Sequence, residues 1–550
     1  MKEKYNRWLE HPIYRAELEE IKHNEAEIAD RFYQTVPFGT GGMRGKLGAG
    51  TNRINVNTIR LVAEGLARQI AAAGDEARTR GVVIAYDTRH FSKEFAYETA
   101  GVLAAHEIRS YVFKESRPTP ELSFAVRYLS AFSGVVITAS HNPKQYNGFK
   151  VYGEDGAQLT PQFADRIVAH MESVQDLFRL ESLSKDTLLE SGYCTEILEE
   201  LDNAYQKALK TLAQHTGKKD LPLVYTPLHG AALVPTACAL AEAGFHHVSI
   251  VEEQAKQDGD FPTVSYPNPE EADAFRLAIE LGQKTSAELL LATDPDGDRL
   301  GVAVRDGDSY KLLTGNELGA LLLHYILLGK KTLPINGAIV KTIVTSELGA
   351  AIAESFGVKT IETLTGFKFI AEKIAEWERT GEYTFLFGYE ESYGYLAGDF
   401  VRDKDAVQIA LLTAEMASYY SEQGKTLLDG LQALYKEYGF YKEELISLTF
   451  EGIDGRQKIA SIMETFHQDP PREFAHIRVV KVEDYSLGNI NGLPMADVVK
   501  FILADESWIC VRPSGTEPKC KFYIGVKKDS EAASKQAIEN IKDDLKQYME

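Results

Sequence analysis

Apolar and polar positions along this chain switch between two periods. Ile59, Val62, Ala63, Leu66 and Ile70 recur at helical spacing as far as Gly74, and the run Val82-Val83-Ile84-Ala85-Tyr86 that follows is short and apolar enough to be a buried strand. The rhythm returns at Leu223-Val224-Tyr225 with a helical pattern over 234–243, and strand-like runs recur at 288–292, 338–340 and 384–387. It predicts βαβ units on parallel or mixed sheets, three of them in succession. Beyond about residue 440 the pattern changes. Strand-like runs at 477–480, 498–502, 508–511 and 521–524 are joined by short turns, and an amphipathic helix follows over about 530–548. That predicts an antiparallel α+β module. Expected domains are 1–208, 209–322, 323–440 and 441–550, a division within the three to five that 550 residues suggest.

Composition narrows the function more than the fold. The formal net charge of −21 argues against a general attraction to nucleic acid or an anionic membrane, so an anionic ligand has to be met by a local basic pocket. The four cysteines, Cys194, Cys238, Cys510 and Cys520, show no pairing or metal spacing, which suits a reducing cytoplasm. The first residues lack an apolar export segment, and no 18-residue apolar run occurs. A cytoplasmic protein, a monomer or homodimer, is expected.

Four loops carry candidate chemistry. Thr138-Ala139-Ser140-His141-Asn142-Pro143 directly follows the apolar run at 134–137, which places Ser140 at the carboxyl end of a strand, where open α/β sheets bind ligands. The continuation through Asn147-Gly148-Phe149-Lys150 brings a cation back toward it. In Asp294-Pro295-Asp296-Gly297-Asp298-Arg299, three alternate carboxylates converge if the loop is roughly extended, and such a set needs a cation, with oxygen donors selecting Mg²⁺ or a similar ion. An EF-hand is excluded, because its sixth and twelfth positions would be Arg299 and Arg305.

Gly388-Tyr389-Glu390-Glu391-Ser392 offers a carboxylate and a hydroxyl two residues apart, a spacing suited to sugar hydroxyls. Arg512-Pro513-Ser514-Gly515-Thr516-Glu517-Pro518-Lys519 gathers donors that match phosphate oxygens. Gly39-Thr40-Gly41-Gly42-Met43-Arg44-Gly45 adds a glycine-rich approach with one cation but is not a Walker loop. Each loop alone has an ordinary structural explanation. Their company does not.

Together these loops resemble the α-D-phosphohexomutase superfamily over nearly the full chain, from Arg44 to Lys519 and in the family's order. Thr226-Pro227-Leu228-His229-Gly230 and the Gly388 loop are most similar to the branch of bacterial phosphoglucomutases, phosphopentomutase and glucose-1,6-bisphosphate synthase. The resemblance implies three similar α/β domains with mixed sheets and a C-terminal α+β domain of TATA-binding-protein-like form around a central cleft. It implies that Ser140 carries a phosphoryl group and, with Asp294, Asp296 and Asp298, holds Mg²⁺. Glu390 and Ser392 would bind the sugar, with Arg299 and the specificity loop Thr365-Gly366-Phe367-Lys368 also at the substrate. Arg512, Ser514, Gly515, Thr516 and Lys519 would clamp the phosphate that is not reacting.

Arg44, Lys150 and Lys404 are expected among the catalytic groups, and His141, Lys150 and Lys404 remain rival general bases. The implied reaction interconverts glucose 1-phosphate and glucose 6-phosphate, primed by glucose 1,6-bisphosphate. Mannose and pentose phosphates stay open as substrates. A metal-dependent phosphatase is the alternative from another class. A sugar-phosphate sensor would have no use for Ser140 or three aspartates, and a serine hydrolase lacks its G-x-S-x-G turn.

Overall fold

The computed structural model describes residues 1–39, 41–215, 217–450, 452–514 and 519–549. It separates into two compact units, residues 1–313 with 394–418 and residues 314–393 with 419–550.

The first unit holds two mixed sheets. One has seven strands, with Tyr146–Tyr152, Ser133–Ile137, Val82–Tyr86 and Ser110–Phe113 at its centre. Val82–Tyr86 runs parallel to Ser133–Ile137, while Tyr146–Tyr152 returns antiparallel. Every residue of Val82–Tyr86 and Ser133–Ile137 is buried, as expected for strands covered on both faces. The helix expected to end near Gly74 spans Val56–Ala73, opened by a capping box at Asn55 and Thr58. The second sheet has five strands, in which Leu289–Thr293 lies between the parallel Leu223–Thr226 and the antiparallel Leu300–Asp306.

Three N-terminal helices, Lys2–Glu10, Pro12–Glu20 and Glu25–Phe32, were not anticipated from the apolar pattern. They close a small aromatic core of Tyr5, Trp8, Tyr14, Leu18 and Phe32.

In the second unit, Gly337–Thr342 pairs in parallel with Lys359–Thr363 and with Thr384–Tyr389. The C-terminal sheet is antiparallel throughout, with Phe440–Thr449, Lys519–Lys528, Trp508–Pro513, Val499–Leu503 and Ile477–Asp484 as its main strands. The closing helix Glu531–Met549 buries Ile538, Ile541 and Leu545 in that module's core. Three α/β sheets followed by an antiparallel α+β module is the expected fold class.

Candidate active site

Ser140 stands where a strand end was expected to place it, three residues beyond Ser133–Ile137. Its backbone is left-handed at φ +52°, a conformation costing a non-glycine residue roughly 1 kcal/mol. The turn is held locally, since the Ser140 amide donates to Thr138 Oγ1 at 2.7 Å. The buried Oγ donates to Asp294 Oδ2 at 3.0 Å and lies 3.1 Å from His141 Nδ1. Burial, then the charges of Arg299 and Arg44, push the His141 imidazolium well below its usual range, so the ring is neutral at physiological pH.

The returning strand Tyr146–Tyr152 explains the spacing to Lys150. Gly148 pairs with Arg44, and a Cβ there would lie 2.5 Å from Met43 O and 2.6 Å from Thr138 O, so only glycine permits the approach. That pairing brings Arg44 to the serine loop, where Nη1 donates to Asn142 Oδ1 at 2.9 Å.

The aspartate loop joins Leu289–Thr293 to Leu300–Asp306. It turns tightly at Gly297, which sits at φ +64° and donates its amide to Asp294 O at 3.0 Å. Asp294 Oδ1 accepts the amides of Asp298 and Arg299, each at 3.0 Å, and this capping folds the loop inward. One oxygen from each of Asp294, Asp296 and Asp298 then lies within 4.8 Å of the others, an arrangement that can hold a metal ion.

Lys150 Nζ is 2.8 Å from Asp296 Oδ2 and 3.6 Å from Asp298 Oδ2, while Lys404 Nζ is 3.2 Å from Asp298 Oδ2 and 2.9 Å from Asp403 Oδ1. Asp296 Oδ1 and Asp298 Oδ1 are buried without a hydrogen-bond partner among the described residues. Two orphaned carboxylate oxygens in one buried cluster are costly unless a cation meets them. Hard oxygen donors of this kind fit Mg²⁺.

The charge balance is lopsided. Burial and the neighbouring Asp296 and Asp298 drive the Asp294 carboxyl well above the usual carboxylate range. For Asp296, burial pushes upward, but Lys150, a hydrogen bond with Asp294 and the charge of Lys404 together outweigh it and hold the group ionised. Burial pulls the Lys150 ammonium down, and Asp296 and Asp298 more than restore it. Lys150 is therefore a charged partner of the aspartates in this state. Arg299, placed by sequence at the substrate, makes an ion pair with Glu270 and lies 4.0 Å from Asp298 Oδ1.

The remaining candidates lie in the second unit. Glu390 directly follows Thr384–Tyr389 and is buried, and its Oε1 accepts the Gly366 amide at 3.0 Å, which joins the Gly388 loop to the Thr365 loop. Thr365 Oγ1 is buried with no hydrogen-bond partner among the described residues. Lys368 Nζ sits 4.7 Å from the Phe369 ring centre, and burial lowers its pKa. Ser392 is half-buried two residues beyond Glu390. Arg512 lies on Trp508–Pro513, with Nη1 3.4 Å from Tyr523 Oη, and the Ser514 amide donates to Lys519 O at 2.8 Å. Gly515 and Thr516 lie outside the described residues.

Two participants escaped the sequence reading. Thr119 donates its amide to Asp296 O at 2.8 Å and its hydroxyl to Asp296 Oδ2 at 3.1 Å. Arg89 reaches the serine loop from the carboxyl end of Val82–Tyr86. Its signal was there to be read, because Asp87-Thr88-Arg89 leaves a strand parallel to, and beside, the one that ends at Ser140.

The chain matches the phosphoglucomutase/phosphomannomutase alpha/beta/alpha domains I, II and III over residues 35–177, 203–307 and 314–438, and the C-terminal domain over residues 468–544. A phosphoglucomutase of Staphylococcus aureus is 40% identical over 537 residues, covering 94% of this chain and 95% of the relative. Two solved structures share the fold. The exocytosis-sensitive phosphoprotein pp63/parafusin of Paramecium, a phosphoglucomutase in its open form, aligns with a TM-score of 0.71 at 20% identity over 93% of this chain and 95% of its own. A phosphoglucomutase/phosphomannomutase family protein of Burkholderia thailandensis aligns with a TM-score of 0.68 at 19% identity over 93% and 97%. Four domain matches in order and a full-length relative agree with the loops that first suggested sugar-phosphate chemistry: this chain belongs to the phosphoglucomutase/phosphomannomutase family, as a phosphohexomutase that moves a phosphoryl group within one sugar.

Proposed function

We propose that this protein is a cytoplasmic phosphoglucomutase, which interconverts glucose 1-phosphate and glucose 6-phosphate through phosphorylated Ser140 and glucose 1,6-bisphosphate, with Mg²⁺ at Asp294, Asp296 and Asp298. The observation that carries this reading is the position of Ser140 Oγ, 3.0 Å from a buried aspartate of the cluster and 3.1 Å from a neutral imidazole nitrogen. The 40% identical relative bearing the name phosphoglucomutase favours glucose.

In the forward half-reaction the free hydroxyl of glucose 1-phosphate attacks the phosphorus of phospho-Ser140. The new bond to the sugar oxygen forms as the bond to Oγ breaks, the hydroxyl proton passes to a base, and Oγ leaves. The bisphosphate then reverses its orientation, and Oγ takes back the other phosphate to release glucose 6-phosphate. Bound Mg²⁺ would neutralise charge on the transferring group and on Oγ.

The chain's own residues supply the rest. His141 is neutral and close enough to exchange a proton with Ser140 Oγ, which makes it the best-placed of the three rival bases for that oxygen. Lys150 and Lys404 hold the surplus carboxylate charge in check, so a phosphoserine of about −2 charge is not expelled by it. Arg512, Ser514 and Lys519 grip the phosphate that is not reacting, while Glu390 and Ser392 engage sugar hydroxyls. Such contacts have to serve both orientations of the bisphosphate.

The test is Ser140→Ala, assayed with glucose, mannose and ribose phosphates, each with and without catalytic glucose 1,6-bisphosphate. Loss of turnover with retained sugar-phosphate binding is expected, together with wild-type kcat/KM highest for the glucose substrates. Near-normal activity of the variant would remove Ser140 as carrier. Inorganic phosphate as the main wild-type product would move the enzyme to the phosphatases.

A further inference from the structure

We infer that Arg89 is the positioning residue of the phosphoryl-carrier loop, kept at its post by Phe261 and, through the loop bearing Phe261, by His229. The inference rests on Ser140 being the carrier.

The Arg89 side chain is fully buried, and both of its terminal nitrogens donate to one loop. Nη2 donates to the carbonyls of Ser140 and Asn142, and Nη1 to those of Pro143 and Tyr146 at 2.9 and 3.2 Å. Four carbonyls, from Ser140 itself to Tyr146 at the start of the returning strand, thus converge on a single planar cation. Nε lies 3.2 Å from Asp87 Oδ2, and Asp87 Oδ1 accepts the Arg89 amide at 2.9 Å, so the guanidinium is anchored at its root as well. A lysine ammonium in the same place is one point with three donors and could not span that set.

The purpose of such a peg follows from the chemistry. Ser140 has to present Oγ identically when it gives and when it receives a phosphoryl group, yet its left-handed backbone is one that a free loop would relax. Pinning the Ser140 carbonyl and three carbonyls that follow it removes that freedom without touching the reacting atoms.

Arg89 is itself covered. The Phe261 ring centre lies 4.9 Å from its Cζ, a cation–π contact shielded from water. The segment carrying Phe261 is tied down at both ends by His229: Nδ1 donates to Lys256 O at 2.8 Å, and Nε2 accepts the Thr263 hydroxyl at 2.9 Å. His229 is left-handed at φ +62°, and its amide donates to Gln254 O at 2.8 Å. Between the ties, Gly259 passes so near His90 that a Cβ would lie 2.6 Å from its amide nitrogen, and Asp260 pairs with Lys144 of the serine loop at 3.2 Å. The Thr226-Pro227-Leu228-His229-Gly230 turn therefore acts on Ser140 at a distance, by way of Phe261 and Arg89.

The experiment compares wild type, Arg89→Lys and Phe261→Leu in kcat, KM for glucose 6-phosphate, and the rate at which glucose 1,6-bisphosphate phosphorylates Ser140, followed by mass spectrometry. For Arg89→Lys, kcat and the phosphorylation rate are expected to fall on the order of 100-fold, as a small misplacement of a reacting group does, with KM changed less than about threefold. Phe261→Leu keeps an apolar cover but removes the ring face, and is expected to slow both rates about fivefold. Wild-type rates in Arg89→Lys, or kcat and KM worsening together, would overturn the proposal. If Arg89→Lys does not fold, Phe261→Leu decides alone, and a wild-type phosphorylation rate there overturns it. Absence of phosphate on Ser140 in the wild type would instead refute the carrier reading itself.

Discussion

Replacing Gly297 by alanine puts the aspartate loop under strain that can be worked out from its neighbours. A Cβ at this position would lie 2.7 Å from Pro118 Cβ and 2.8 Å from Ala232 Cβ, about 1 Å inside ordinary carbon contact. The backbone is at φ +64°, which adds roughly 1 kcal/mol for any residue with a side chain. Relieving the overlaps costs about 1–3 kcal/mol more, as over-packing usually does.

Neither neighbour can move freely. Thr119, next to Pro118, holds both the carbonyl and the carboxylate of Asp296, and the Ala231 amide donates to Pro295 O at 2.8 Å. Strain of about 2–4 kcal/mol is thus delivered to the aspartates from two sides, and half of it expressed as a displaced carboxylate weakens metal binding by roughly 5- to 30-fold. Calorimetric titration with Mn²⁺ on unphosphorylated enzyme, paired with urea unfolding, measures both effects. Unchanged metal affinity with stability within about 0.5 kcal/mol of wild type would refute the reasoning, since surface-like tolerance is incompatible with that packing.

Two further outcomes follow from the second unit. On the proposed phosphate grip, Arg512→Ala should raise KM for glucose 6-phosphate at least about tenfold with a smaller effect on kcat, and steady-state kinetics decide it. Glu443 is pushed up from 4.5 to about 7, first by burial and then by Glu317 and Glu347, against the hydrogen bond of Ser346. A raised folded pKa makes its contribution to stability complete below about pH 4.5 and lost progressively as pH climbs to 7, so Glu443→Gln should flatten that decline and gain up to about 3 kcal/mol at pH 8 in urea unfolding.

Local signals were legible where chemistry and periodicity coincide. Val82–Tyr86 is a strand at the bounds its apolar run suggested, and Ser140, Asp294, Asp296, Asp298 and Lys150 gather as their loops implied. What holds the aspartates together, Asp294 accepting two amides further along the loop, is a side-chain-to-backbone bond that spacing alone does not show. Lys404 was named by resemblance, but its reason for being there, the pair with Asp298, depends on a contact between residues far apart in sequence. Arg89 stands beside the serine loop in the strand order, but its partners, four carbonyls and an aromatic face, leave no mark on composition. The N-terminal helices are so short that their buried anchors, Tyr5 with Trp8 and Tyr14 with Leu18, keep helical spacing for one turn only.

That the first unit is completed by residues 394–418 has a consequence during synthesis. The serine and aspartate loops leave the ribosome early, but the Lys404 ammonium that pairs with Asp298, the Asp403 carboxylate that accepts Tyr152 Oη at 2.8 Å, and the Asp405 carboxylate that accepts Tyr205 Oη follow more than a hundred residues behind the aspartates. At ordinary elongation rates the nascent chain carries a half-neutralised acidic cluster for about 5–20 seconds. A polypeptide stopped at residue 313 would keep that cluster indefinitely, because residues 314–393 of the second unit are inserted between the two parts of the first.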